Sequence, residues 1–175
     1  MSGAVNSSWP TTDLDPLRRL KVIAATAKHA TFAERYYEVP LDRLWAVASD
    51  LERELPRLVP GVRSFTVLDS VGDRLSARAV SVLGHREHFD VVLRPGWCLM
   101  QSRVLASGMA AVAEGDGTRF AFFSSLRLPG GRLLNRMRLV RAEARTGRLF
   151  DRLEQRIAAR SLPGAAEGQP GPEEP

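Results

Sequence analysis

The stretch from Gly131 to Arg160 limits what this chain can fold into more than any other, because it reads as one amphipathic helix of about seven to eight turns. At about 100° per residue, Leu139, Ala142, Thr146, Leu149, Phe150, Leu153 and Ile157 fall in one arc roughly 100° wide, the width of a core-facing stripe. That stripe has to be covered. Arg138, Arg141, Arg145, Arg148, Arg152 and Arg156 occupy the neighbouring arc, with Glu143, Asp151 and Glu154 on the far side. Gly130 and Gly131 free the entry turn, and Pro163 with Gly164 follows the stop. Inside the run only Gly147 disfavours helix, by about 1 kcal/mol relative to Ala, and it marks a bend or a close contact.

The segments before this helix say what covers it. Residues 1–12 are polar and small and read as disordered. Asp15 and Pro16 supply an N-cap and a first helical position, and Leu17, Leu20, Ile23, Ala24 and Ala27 recur at helical spacing, so a short helix runs to about Lys28 and covers an edge or face of the main domain. A strand is predicted from Phe32 to Val39, ended by Pro40, followed by helices over Leu41–Ser49 and Leu51–Val59. Only strands follow: Val62–Asp69, Arg74–Leu83, Arg86–Leu93, Trp97–Leu105, Met109–Glu114 and Thr118–Leu128. Val71-Gly72-Asp73, Gly84-His85, Pro95-Gly96, Ser107-Gly108 and Gly115-Asp116-Gly117 are the turn chemistry between them. The fold class is therefore α+β, in β-α-α-β6-α order, with a curved antiparallel sheet of about seven strands wrapped around the long C-terminal helix.

In a chain of 175 residues, 44% hydrophobic and 26% charged, this is one globular domain with a real core. Residues 1–30 form an N-terminal extension, 31–160 the domain and 161–175 a disordered Gly, Pro and Glu tail. The single cysteine, Cys98, excludes an intrachain disulfide and a multi-cysteine zinc site. No transmembrane run and no apolar leader occur, which points to the cytoplasm. The net charge of +5 lies entirely on the terminal helix, where nine arginines face three acidic residues; the remainder carries one acidic residue in excess. The stripe has no interleaved aromatics, which argues against nucleic acid and leaves an acidic protein or anionic lipid as the partner it would fit.

The run Glu38-Val39-Pro40-Leu41-Asp42-Arg43-Leu44-Trp45-Ala46-Val47, with Ser49-Asp50, Leu58-Val59-Pro60-Gly61-Val62, the Gly115-Asp116-Gly117-Thr118-Arg119 hairpin and the terminal helix, resembles the START-like helix-grip (SRPBCC) superfamily over about residues 31–160. That superfamily includes polyketide cyclases/dehydrases, lipid-transfer domains and the birch-pollen-allergen type. The resemblance implies an apolar small-molecule ligand, such as a lipid, isoprenoid quinone or polyketide, bound between sheet and helix for carriage or cyclisation. It marks architecture and not activity.

Strand parity names the side chains that would line such a cavity. Phe65, Ala77, Ala79, Glu87, Phe89, Val91, Met100, Ser102, Phe120, Phe122 and Ser124 point inward, joined by Tyr37 and by Phe150 of the helix. Tyr37, Glu87, Ser102 and Ser124 are the polar groups in this lining. No catalytic residue is assigned. Glu87 is the best acid/base candidate, because an inward carboxylate beside Phe89 and Val91 has its ionisation disfavoured. His85 and His88 have opposite parity and cannot share a metal, there is no Gly-x-Ser-x-Gly turn, and Walker and dinucleotide glycine patterns are absent, so neither metal nor cofactor is expected. The alternative function is an interaction module that works through the Arg stripe.

Overall fold

A computed structural model describes residues 14–126 and 132–161, with side chains outside 132–144. The expectations for residues 1–12, for the Gly130-Gly131 entry and for the tail beyond Ser161 lie outside the described residues, as do the side chains of Leu139, Ala142, Arg138 and Arg141. In chain order the elements are α1 (Pro16–Thr26), β1 (Ala30–Tyr37), α2 (Leu41–Ala48), α3 (Leu55–Leu58), β2 (Val62–Val71), β3 (Arg74–Ser81), β4 (Arg86–Arg94), β5 (Trp97–Gln101), β6 (Leu105–Glu114), β7 (Gly117–Leu126) and α4 (Arg132–Ser161). The α+β order predicted from the sequence is the order found.

All seven strands form one antiparallel sheet in the order β1-β7-β6-β5-β4-β3-β2. The sheet is not closed: β1 and β2 are its edges. On β2 the register shifts between Val67 and Asp69, and the Val67 N–H donates to Glu52 Oε1 at 2.8 Å. A carboxylate from the α2–α3 connection thus occupies a donor that an edge strand would otherwise leave open.

Each face of the sheet has its own core. The inner face carries Tyr37, Phe65, Ala77, Phe89, Val91, Cys98, Met100, Met109, Phe120 and Phe122 against α2, α3 and the C-terminal half of α4. From α4 it receives Leu149, Phe150, Leu153 and Ile157, as the helical periodicity requires, and Thr146 of the same stripe is also buried. The outer face of β5–β7 presents Trp97, Ala106, Ala110, Ala121 and Phe123 to Leu17, Leu20 and Ala24 of α1. The N-terminal helix therefore covers a face rather than an edge. Its start follows from the sequence: Arg18 N donates to the Asp15 carboxylate at 3.0 Å, and Pro16 opens the first turn.

Two local expectations are corrected. The second short helix spans only Leu55–Leu58, because Pro56 lacks the N–H that a helix interior needs and so sits in the first turn. Ser107-Gly108 is not a turn. The β5–β6 connection is made at residues 102–104, where the Ser102 hydroxyl accepts the N–H of Leu105 at 3.0 Å and of Val104 at 3.3 Å. Gly108 instead lies mid-strand, opposite Leu99 and Phe123. A Cβ there would stand 2.7 Å from Phe123 Cε1, 2.9 Å from Leu20 Cδ1 and 3.0 Å from Cys98 O. The glycine is the gap through which α1 reaches the sheet. Gly147 has the opposite character, since a Cβ added there meets nothing within 4 Å.

Urea unfolding should separate these two glycines. Gly108→Val is expected to destabilise the protein by about 1–3 kcal/mol through overpacking against Leu20 and Phe123. Gly147→Ala is expected to stabilise it by about 0.5–1 kcal/mol through helix propensity. Equal midpoints for Gly108→Val and the parent protein would show that α1 does not pack over β6.

Candidate functional site

The inner face is filled at one end and hollow at the other. Under the C-terminal half of α4, Tyr37, Phe120 and Phe150 stack edge to face, with ring centroids 6.3 Å apart for Tyr37–Phe120 and 6.0 Å for Phe120–Phe150. The Tyr37 hydroxyl donates to the Phe150 carbonyl at 3.1 Å, and burial pushes the phenol's pKa up, so the donor form persists. Arg35 lies over the Phe150 ring, 5.2 Å from its centroid, and pairs with Asp151 at 2.8 Å. Of the residues expected to line the cavity, Phe120 and Phe150 are packed in the core, and Tyr37, packed with them, also borders a second depression between β1 and the end of α4. Ala77 and Val91, 0% and 1% exposed, are packed in the same way.

Towards β2 the same face has a partly open hollow of about 80 Å³. Its described lining is Leu55 and Val59 from the α3 segment, Val62 and Phe65 of β2, Ala79, Phe89, Met100, Leu105, Ser107, Phe122 and Ser124. Six residues named from strand parity are brought together here: Phe65, Ala79, Phe89, Met100, Phe122 and Ser124. No charged side chain belongs to the described lining. Ser102, assigned inward from the sequence, is buried but serves the β5–β6 turn, and Ser107 takes the polar position on the wall. Glu87 is half-buried at the first inward position of β4, opposite Ala79 and two residues from Phe89, and it is not one of the described lining residues. Leu55, Val59, Val62, Leu105 and Ser107 were not named from the sequence. Parity would have found Ser107 once the turn moved to Ser102.

A second depression of about 480 Å³ runs between β1 and the end of α4, past Arg35, Glu38, Glu154 and Ser161. Its described lining carries charged side chains, Arg35, Glu38 and Glu154, which an apolar ligand would have to desolvate. The uncharged, apolar hollow is the better site for an apolar ligand despite its lesser volume. Elsewhere, Cys98 is fully buried and its thiol is pushed up to about 12 by desolvation, which makes it inert at neutral pH. Among the described residues, no group of three or more His, Cys, Asp or Glu side chains is placed to hold a metal, and no helix is long and apolar enough to cross a membrane.

The Arg stripe is not one free surface. Glu54, 1% exposed at the N-cap of α3, receives Arg156 through two hydrogen bonds, Nε at 2.7 Å and Nη2 at 3.0 Å, with Arg160 Nη2 at 3.1 Å and Arg57 Nη1 at 3.4 Å. Arg160 also binds Asp50 and donates to the Ala46 carbonyl at 3.0 Å, while Arg152 donates to the Arg57 carbonyl at 3.2 Å. Arg152 and Arg156, expected to face an acidic partner, thus fasten α4 to α3, and Arg160 fastens it to α2. Arg145 and Arg148 are exposed, and the side chains of Arg138 and Arg141 lie outside the described residues.

Known proteins agree with this architecture. No protein-family model and no curated protein matches the chain. Among solved structures, a Thermus thermophilus protein is similar with 23% identity and a TM-score of 0.63, over 76% of this chain and 99% of its own. A START superfamily protein from Mycobacterium smegmatis is similar with 16% identity and a TM-score of 0.55, over 75% and 99%. The Zhui aromatase/cyclase of a Streptomyces species gives 13% identity and a TM-score of 0.57, over 78% and 99%. The chain has the START-like helix-grip fold of these structures. At these identities the likeness defines the fold alone.

Hydrogen bonding from Arg156 holds the Glu54 carboxyl below the usual carboxylate range, against burial, which acts in the other direction. A depressed carboxylate stabilises the fold above its unfolded pKa of about 4.3, and that stability is lost as pH falls through the lower folded value. The parent protein should therefore lose stability on acidification below about pH 4, and Glu54→Gln should show a shallower slope in that window. At pH 7 Glu54→Gln is expected to cost about 3 kcal/mol in urea, because it breaks a buried pair from one side. A cost below about 0.5 kcal/mol would show that α4 is held to α3 by apolar contact alone.

Proposed function

We propose that the protein binds an apolar small molecule, such as a lipid, an isoprenoid quinone or a polyketide, in the cavity between the sheet and the α3 segment, for carriage or for cyclisation. The observation that carries this reading is an uncharged, apolar-lined hollow on the inner face of the sheet, beside a core that is tightly packed under the C-terminal half of α4. Interiors are normally close-packed, so a hollow bounded by Ala79 where a larger side chain would fit is a feature of the sequence. Solved structures of the same fold include proteins named as an aromatase/cyclase and a START superfamily protein, and both names favour an organic ligand over a metal or a nucleic acid. A ligand of ordinary size requires about 300–1,000 Å³, so the hollow seats one end of the molecule and the remainder displaces α3, a single helical turn. This setting is the protein interior of a soluble chain in the cytoplasm, acting without a resident cofactor.

The test is extraction of the natively purified protein with organic solvent, followed by mass spectrometry, for the parent and for Ala79→Leu. The parent should release an apolar compound that Ala79→Leu, with its cavity filled, does not retain. The variant should melt at or above the parent temperature, whereas Ala77→Leu, at a site with no space, should lose about 1–3 kcal/mol. Equal release from the parent and from Ala79→Leu would place any ligand elsewhere.

A further inference from the structure

The cavity is uncharged but not wholly apolar, and its two hydroxyls are placed as a pair. Ser107 on β6 and Ser124 on β7 are direct register partners and both line the hollow. Hydroxyls buried elsewhere in the domain are used by the fold: Thr31 donates to the Ser124 carbonyl, Thr118 to the Val39 carbonyl and Ser125 to the Lys28 carbonyl, and Ser102 accepts two backbone N–H groups. Ser107 is as buried as these, at 5% exposed, yet among the described residues neither its hydroxyl nor that of Ser124 has a hydrogen-bond partner. Side-chain oxygens and nitrogens sealed from solvent and cavity are all hydrogen-bonded among the described residues, which leaves these two hydroxyls open onto the hollow. Ser107 is buried and Ser124 half-buried, both beside apolar side chains, so a ligand that displaces water from the hollow has to offer these two hydroxyls an acceptor or leave them unsatisfied.

Resting on the cavity as the binding site, we infer that Ser107 and Ser124 recognise a neutral carbonyl-bearing molecule and orient its oxygen between β6 and β7. Side chains directly opposite on antiparallel strands have Cβ atoms about 5 Å apart, so two serine hydroxyls there can converge on one oxygen. A ketone, aldehyde, ester or quinone oxygen offers two lone pairs and takes both donors. A carboxylate would lie in the same place without a cation in the described lining to neutralise it, and is disfavoured. The specificity is thus for a neutral acceptor set at the end of an apolar body.

The experiment titrates acetophenone and ethylbenzene, which differ by one oxygen at nearly constant shape, against the full chain by ligand-observed NMR. The same titrations are run on Ser107→Ala, Ser124→Ala and the double variant, with melting curves to confirm that each is folded. The ratio of acetophenone to ethylbenzene affinity should fall about tenfold in the double variant and about threefold in each single one, with ethylbenzene binding unchanged or tighter. An unchanged ratio with both probes still bound would overturn the serine pair as a carbonyl site and leave the apolar cavity standing. Failure of the parent protein to bind either probe would overturn both.

Discussion

The burial of one face of α4 on the inner sheet is the contact on which the rest of the structure depends. Leu153 is fully buried, and Leu149, Phe150 and Ile157 are each at most 4% exposed. At about 1.5–3 kcal/mol per fully buried large apolar side chain, these four contribute roughly 6–12 kcal/mol, the scale of a whole domain's net stability. Left in water these side chains would lose that stabilisation, and β1, α2 and α3 are the elements that pack against the helix to cover them. The Tyr37 hydrogen bond to the Phe150 carbonyl then sets the helix against β1 at one point along its length.

That docking is unequal along the sheet, and the inequality creates the site. Aromatic rings fill the end beneath Phe150, whereas the end beneath α3 meets Ala79 and two serines. Phe65 and Phe89, with centroids 6.1 Å apart and tilted by 49°, wall the hollow without closing it. A residue larger than alanine at position 79 would make this end as solid as the other.

Period-based features were legible in the sequence because their causes are local. The α4 stripe follows from a 3.6-residue repeat, and the inward set Phe65, Phe89, Met100 and Phe122 from alternation along strands. Gly108 could not be read this way. Serine followed by glycine is turn chemistry by local criteria, and only the approach of Leu20, 88 positions earlier in the chain, explains a glycine within a strand. One misplaced turn then exchanged Ser107 for Ser102 on the cavity wall. Glu54 shows the same limit: it lies in a short, charge-rich connection that resembles surface, and its burial becomes apparent only with Arg156, 102 residues later, folded against it. The hollow itself is an absence of side-chain volume, which no pattern of residue types encodes.

The basic excess of α4 and the cavity are linked through one short element. Glu54 is the N-cap of α3, and the next residue, Leu55, belongs to the cavity wall, as does Val59 just past the helix end. Arg156 and Arg160 hold the start of that turn, and Arg152 holds the Arg57 carbonyl near its end. Arginine's planar fork fixes a carboxylate in two directions at once, which a lysine ammonium does not. Two arginines of a stripe that looks like a docking surface, with Arg160 beyond it, therefore hold α3 against α4. Leu55 and Val59 of that segment wall the hollow, so the charge that the sequence concentrates on its last helix is, in part, what positions the wall of an apolar site.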